Sequence, residues 1–310
     1  MDIRDGVVVV TGASSGIGRE TALALAHAGA HPVLLARRRG ALDEVAERCR
    51  RHGARPVVAP ADVTDGEAVQ QVADTALQRH GRLDGWVNAA SVMEFGTVLD
   101  VPPEDVRRVL DVNLMGAVHG CRAALPPMIA EGRGAVVNVS SILGVIALPF
   151  GAGYTMTKFG LRGLGVSLRQ ELRLNEVTGV GVSTVLPAAV DTPIWSAAGN
   201  RTARTPHPPP PVADPGDVAQ AVLERLRVPR RETVVGALPA RALVYAHAFL
   251  PEVVERVFAT VFDMIGLRGD GPARPGAGNL FAPVHAVDQE ASCSRASLSR
   301  ASMRCRSRKP

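Results

Sequence analysis

The stretch that most constrains the fold is Val7-Val8-Val9-Val10-Thr11-Gly12-Ala13-Ser14-Ser15-Gly16-Ile17-Gly18. Four successive valines leave no polar face, which suits a strand buried on both sides, as in a parallel sheet. Beyond Gly18, residues Ala22, Leu23, Leu25 and Ala26 recur at helical spacing, and Gly29 is the expected stop. The unit is strand, glycine-rich turn, helix. A helix N-terminus presents unpaired N–H groups and a partial positive charge. Glycines let the backbone approach a phosphate where a Cβ would collide, and Ser14 and Ser15 add hydroxyl donors. The spacing G-x-x-x-G-x-G differs from the common G-x-G-x-x-G fingerprint, and by itself it also suits a tight structural turn.

The rest of the chain repeats the alternation. Strands are predicted at 31–36, 55–59, 83–91, 135–139, 179–186 and 233–235, and helices at 41–51, 65–78, 103–129, from Tyr154 onward, and at 215–226. Strands alternating with helices predict an α/β fold, a Rossmann-type doubly wound parallel sheet of about seven strands with helices on both faces. In such a fold the end of the second strand lies beside the adenosine ribose. There the chain places Arg37-Arg38-Arg39. An acidic residue would bind a free 2′-hydroxyl, whereas arginine suits a 2′-phosphate, so NADP(H) is expected over NAD(H). The other reading of these arginines is a solvated start to the next helix. Small residues at Ala89-Ala90-Ser91 leave room for a ligand at a strand end. Asn113 falls inside a predicted helix, where asparagine is a poor former.

Composition narrows the function classes. With 310 residues and 46% apolar content, one or two domains with a sizeable core are expected. The opening Met1-Asp2-Ile3-Arg4-Asp5 has no basic-then-apolar leader, and no apolar run is long enough to span a bilayer. Cys49, Cys121, Cys293 and Cys305 show neither metal nor disulfide spacing. A cytoplasmic protein without a metal is the expectation. The net charge of +5 is misleading, because residues 288–310 carry six of the 35 basic and two of the 30 acidic groups. Without them 29 basic groups face 28 acidic ones, a balance of +1, which gives no electrostatic case for nucleic acid.

Tyr154 and Lys158 are four apart and share a helix face. A phenol of pKa about 10 exchanges protons poorly at neutral pH, and a neighbouring ammonium favours the phenolate. Ser141 offers a hydrogen bond to the same substrate oxygen. This grouping suits interconversion of a carbonyl and an alcohol by hydride transfer.

Taken together, the Thr11-to-Gly18 turn, Asp62-Val63, Asn113, Ser141, Tyr154-x-x-x-Lys158 and the segment from Pro187 to Thr192 resemble the short-chain dehydrogenase/reductase family over residues 7 to about 235. The resemblance implies an oxidoreductase acting on a small-molecule alcohol or carbonyl, assembled as a homo-oligomer. Tyr154 would be the general acid/base. Lys158 would lower its pKa and hold the nicotinamide ribose, Ser141 would position the substrate oxygen, and Asn113 would hold a water in a proton relay. Gly12, Ser14, Ser15, Gly16, Ile17 and Gly18 would hold the phosphates. Asp62 and Val63 would contact adenine, Arg37 the 2′-phosphate, and Val190 and Thr192 the carboxamide, with Asn88 and Pro187 completing the cofactor wall. Two departures stand beside the cofactor. Asn88-Ala89-Ala90-Ser91 replaces the usual Asn-Asn-Ala-Gly, and Pro187-Ala188 the usual Pro-Gly. If position 188 needed positive φ, alanine would cost about 1 kcal/mol.

Three regions are expected: a catalytic dinucleotide-binding domain over 1–236, a helical extension over 237–287, and a disordered basic Ser/Arg-rich tail over 288–310. Proline-rich 205–211 reads as a stiff substrate lid or as a linker. In the extension Val254, Val257, Phe258, Val261, Phe262 and Ile265 form a stripe, with Pro239 and Pro251 as breaks. Packing on its own subunit, a lid favouring bulky apolar substrates, a subunit contact and peripheral membrane docking remain open for it. The rival to a reductase is a nucleotide-binding regulator without catalysis.

Overall fold

A computed structural model describes residues 1–268 and 276–283. Its centre is a seven-stranded parallel sheet: β1 (Val7–Thr11), β2 (His31–Ala36), β3 (Val57–Pro60), β4 (Gly85–Asn88), β5 (Gly134–Val139), β6 (Val180–Pro187) and β7 (Glu232–Val235). The spatial order is β7-β6-β5-β4-β1-β2-β3. The order reverses between β1 and β4, the switch point outside which such sheets bind ligands. The valine run behaves as its composition predicts: Val8 and Val10 join the apolar layer on one face, Val7 and Val9 the layer on the other.

Helices α1 (Gly16–His27), α2 (Arg39–Arg51) and α7 (Pro215–Arg227) cover the first face. On the second lie α3 (Gly66–His80), α4 (Pro103–Leu110), α5 (Gly116–Ala130) and α6 (Ala152–Leu174). The single helix predicted over 103–129 is interrupted: a π-helical turn, Asp111–Met115, joins α4 to α5 and contains Asn113. The side chain of Asn113 supplies the reason. It bonds both the N–H and the C=O of Val92, at 2.8 and 2.9 Å, which helical spacing would not align.

The extension folds as α8 (Leu238–Phe249) and α9 (Pro251–Ile265). Pro239 and Pro251 sit in first turns, where a missing N–H costs nothing, so Pro239 starts a helix and breaks none. Residues Thr205–Pro206 of the proline-rich segment pair antiparallel with Leu267–Arg268. The apolar stripe is only partly covered: Val254 and Phe262 are buried, whereas Val257 and Val261 remain exposed. The disorder expected for 288–310, and the end of the extension at 284–287, lie outside the described residues.

Candidate active site

One cleft of about 240 Å³ runs along the C-terminal edge of the sheet. At one end lies the turn after β1. Gly12 and Gly16 adopt φ of +70° and +52°, which disfavour other residues. A Cβ on Gly12 would stand 2.8 Å from Ala90 Cα, and one on Gly18 would meet the Gly12 carbonyl. Thr11 Oγ1 accepts the N–H groups of Ala89 and Ala90 at 3.0 Å each, locking the ends of β1 and β4 together. The outcome is a floor of backbone N–H groups at the start of α1, shaped for an anion and narrow enough to need glycine. The residues present fit the pyrophosphate of a dinucleotide.

Ser14, Ser15, Ile17, Arg37, Asp62 and Val63 line this half of the cleft. Asp62 is pulled below the usual carboxylate range: burial acts to raise it, but bonds from Thr64 and Arg108 outweigh that, with Arg108 Nη2 at 2.6 Å. Burial lowers the Arg37 guanidinium, with Asp62 opposing. Arg37 donates to the backbone carbonyls of Asn279 at 2.8 Å and Phe281 at 3.0 Å.

Toward the other end, Tyr154, Ser141 and Lys158 converge with Pro187, Val190 and Thr192. Local chain geometry sets them up. Ser141 caps the short helix Ile142–Gly144, accepting the Leu143 N–H at 3.1 Å. Gly144 lies so close to α6 that a Cβ would sit 2.5 Å from the Lys158 carbonyl, and Ser140 Oγ donates to that carbonyl at 2.8 Å. The ends of β5 and of the first turns of α6 are thereby held together. Lys158 Nζ donates to Val139 O at 3.1 Å and stands 5.1 Å from the centre of the Tyr154 ring. Burial pushes Lys158 down to about 7 and raises the Tyr154 phenol, against which the Ser141 and Ser91 hydroxyls act.

Two predicted residues stand back from the cleft. Asn88 turns into the sheet, accepting from Trp86 Nε1 and donating to Asn138 Oδ1, both at 2.8 Å. Its side chain joins β4 to β5. Asn113 spends its amide donors on Val92 O and on Thr157 Oγ1, at 3.2 Å for the latter, leaving one Oδ1 lone pair for a water. The Pro187-Ala188 departure carries no backbone strain. Ala188 is absent from the positive-φ residues, and Gly236, at φ +145°, supplies the tight backbone beside it.

Several neighbours of the site escaped the sequence reading. Glu94 is 2% exposed, and its carboxylate accepts the N–H groups of Gly153 and Tyr154 in the first turn of α6. Burial nevertheless raises it to about 7, and its Oε2 has no partner. No local pattern marks that glutamate. Phe258 and Phe262 of α9 form an aromatic row with Phe95 and Trp195, with ring centres 6.0 to 6.4 Å apart, and Phe258, Phe262 and Trp195 face the cleft. The amphipathic stripe contained both α9 phenylalanines but not their destination. Asn279 and Pro283 also line the cleft. Among the described residues no group of three or more His, Cys, Asp and Glu side chains is placed to hold a metal, and no helix is long and apolar enough to cross a membrane.

Residues 6–202 match the family model described as short chain dehydrogenase. An oxidoreductase of Bacillus subtilis (strain 168), YxnA, is 36% identical over 84% of this chain and 73% of its own. The dehydrogenase/reductase SDR family member 7B of Danio rerio is 31% identical over 84% and 86%. Among solved structures, a short chain dehydrogenase/reductase from Burkholderia phymatum in complex with NAD superposes with a TM-score of 0.72 at 29% identity, covering 82% of this chain and 96% of that one. With a switch-point cleft that joins a glycine cradle to a buried tyrosine and lysine, and with relatives of this extent, the chain belongs to the short chain dehydrogenase family.

Proposed function

We propose that this oxidoreductase uses NADP(H) to interconvert an alcohol and a ketone or aldehyde, with Tyr154 as the general acid/base. The observation that carries the reading is the meeting of Tyr154, Ser141 and Lys158 in the cleft that begins at the glycine cradle. The nicotinamide cofactor supplies hydride for reduction and accepts it in oxidation. In reduction Tyr154 gives its proton to the substrate oxygen, held by Ser141; in oxidation it takes that proton back. Burial keeps the phenol protonated and ready to donate. The phenolate left behind is stabilised by the Lys158 ammonium beside the ring and by the Ser141 hydroxyl. Asn113 holds a relay water through its remaining lone pair. Arg37 at the end of β2 supports the preference for a 2′-phosphate. NAD is what the Burkholderia phymatum neighbour holds, so the cofactor assignment rests on Arg37.

The substrate half favours bulky apolar molecules. Its walls include Leu148, Ile194, Trp195, Phe258 and Phe262. Apolar side chains left exposed on α6, Met156 and Phe159, suit contact with a second copy. Replacement of Tyr154 by Phe tests the chemistry: turnover should fall by about 10²–10⁴ while nucleotide binding persists. Retention of turnover within about threefold would refute the role, and loss of nucleotide binding as well would point to a structural one.

One observation favours a second reading, docking on a membrane surface. Tyr245, Phe249, Leu250, Val253 and Val257 of α8 and α9 are all exposed, Phe249 at 83%. Cosedimentation with anionic phospholipid vesicles tests it. Binding lost on replacing Phe249 and Val253 by serine supports docking, and the absence of any cosedimentation rejects it.

A further inference from the structure

Residues 276–283 cross the adenosine end of the cleft as a strap. One end is pinned to residues 197–200: Gly276 and Asn200 exchange both backbone hydrogen bonds, at 2.8 and 3.0 Å, and the Asn279 N–H donates to Ala197 O at 2.8 Å. Leu280 is the anchor. Its side chain is fully buried in the apolar layer with Val63 and Val109. Around that anchor three consecutive carbonyls face two arginines. Arg37 Nη2 donates to Asn279 O at 2.8 Å and Nη1 to Phe281 O at 3.0 Å, while Arg108 Nε donates to Leu280 O at 2.8 Å. Arg108 is in turn the ion-pair partner of Asp62 on the same wall.

We propose that this strap determines cofactor discrimination, because the carbonyls of Asn279 and Phe281 occupy the two Nη groups of Arg37 that a 2′-phosphate would use. The inference rests on Arg37 reading the adenosine ribose, as proposed above. A guanidinium carries five N–H donors, and the strap takes both on Nη1, through Phe281 O at 3.0 Å and Leu280 O at 3.4 Å, and one on Nη2, so a phosphate cannot grip the two Nη groups end-on while the strap is seated. A cofactor with a free 2′-hydroxyl leaves the strap in place. A 2′-phosphate gripped end-on must displace it first, exchanging neutral carbonyl acceptors for an anionic one. The strap thus opposes the preference that Arg37 by itself confers, and the net preference is the difference between the two. Linkage makes the effect reciprocal: whatever loosens the strap tightens 2′-phosphate binding, and 2′-phosphate binding loosens the strap. Because the strap is also pinned at Ala197 and Asn200, the loosening reaches residues 197–200.

Calorimetry on the full-length chain with 2′,5′-ADP and with 5′-ADP tests the proposal. Leu280→Asp, which puts a charge into the anchor site, should raise the affinity for 2′,5′-ADP relative to 5′-ADP by about tenfold, the worth of one hydrogen bond to a charged group. Unchanged relative affinity, or equal weakening of both nucleotides, would overturn it and make the strap a simple clasp. A second measurement needs no variant. In the wild-type chain, 2′,5′-ADP should speed amide exchange at Gly276, Asn279 and Leu280, whereas 5′-ADP should not; equal protection by both nucleotides overturns the proposal even where Leu280→Asp does not fold. Arg37→Ala separates the two levels. If it weakens both nucleotides equally, the phosphate reading of Arg37 fails. If it selectively weakens 2′,5′-ADP while strap exchange is unmoved, only the strap inference fails.

Discussion

Replacing Glu94 by Gln should make the protein more stable at high pH by an amount that the site itself specifies. The carboxylate is 2% exposed, is raised from 4.5 to about 7, and has one oxygen without a partner. Its bonds from the first turn of α6 favour the ionised form, and burial outweighs them. Between those two pH values the folded protein binds a proton that the unfolded chain has released. Stability is therefore fully present below pH 4.5 and declines as pH rises through about 7. At 1.36 kcal/mol per pH unit the interval corresponds to about 3 kcal/mol, a large part of a typical domain's margin. Glutamine keeps an oxygen for the Gly153 and Tyr154 N–H groups and does not titrate. Urea unfolding followed by circular dichroism at pH 5 and pH 8 should show the stability difference, Gln minus Glu, growing by more than about 2 kcal/mol. Lys158 titrates near the same pH, but it is present in both proteins, so the difference removes it. Parallel pH curves for the two proteins would refute the reasoning. A second readout follows, because the Glu94 charge raises the Tyr154 phenol. The variant's oxidation rate should reach its plateau at lower pH than the wild type's.

Gly18→Ala should destabilise the fold by more than about 2 kcal/mol and abolish nucleotide binding, because the new Cβ meets the Gly12 carbonyl, which is backbone and cannot turn away; thermal shift with and without nucleotide checks both effects. Lys158→Met, of similar length but without charge, should lower kcat by about 10² and move the rate profile toward higher pH, read from steady-state kinetics across pH. Phe262→Ala should cost about 3–5 kcal/mol of stability and raise KM for bulky apolar ketones more than for small ones, measured with a substrate size series; equal KM changes across the series would detach α9 from substrate recognition.

Much of this protein was legible in its sequence wherever a short stretch carries its own physical reason. Val7 to Val10 could only be a strand buried on both faces, and the two apolar layers divide them alternately. The glycines after Thr11 announced a close approach, which Ala90 and Gly12 define. Tyr154 and Lys158 share a helix face by spacing, and one helix suffices to bring them together. The tertiary structure decided what depends on residues far apart in the chain. Asn88 sits where a cofactor contact was expected, yet the pairing of β4 with β5 gives it Asn138 as a partner 50 residues on. Helix propensity ran through Asn113, but Val92 outside the helix pulled it into a π turn. Glu94, in the segment that follows β4, reaches the first turn of α6 far along the chain. Arg37 meets Asn279 and Phe281 across 242 and 244 residues. Periodicity and turn chemistry report a residue's own backbone, whereas the partner of a buried charge or amide depends on which distant segment the fold delivers to it.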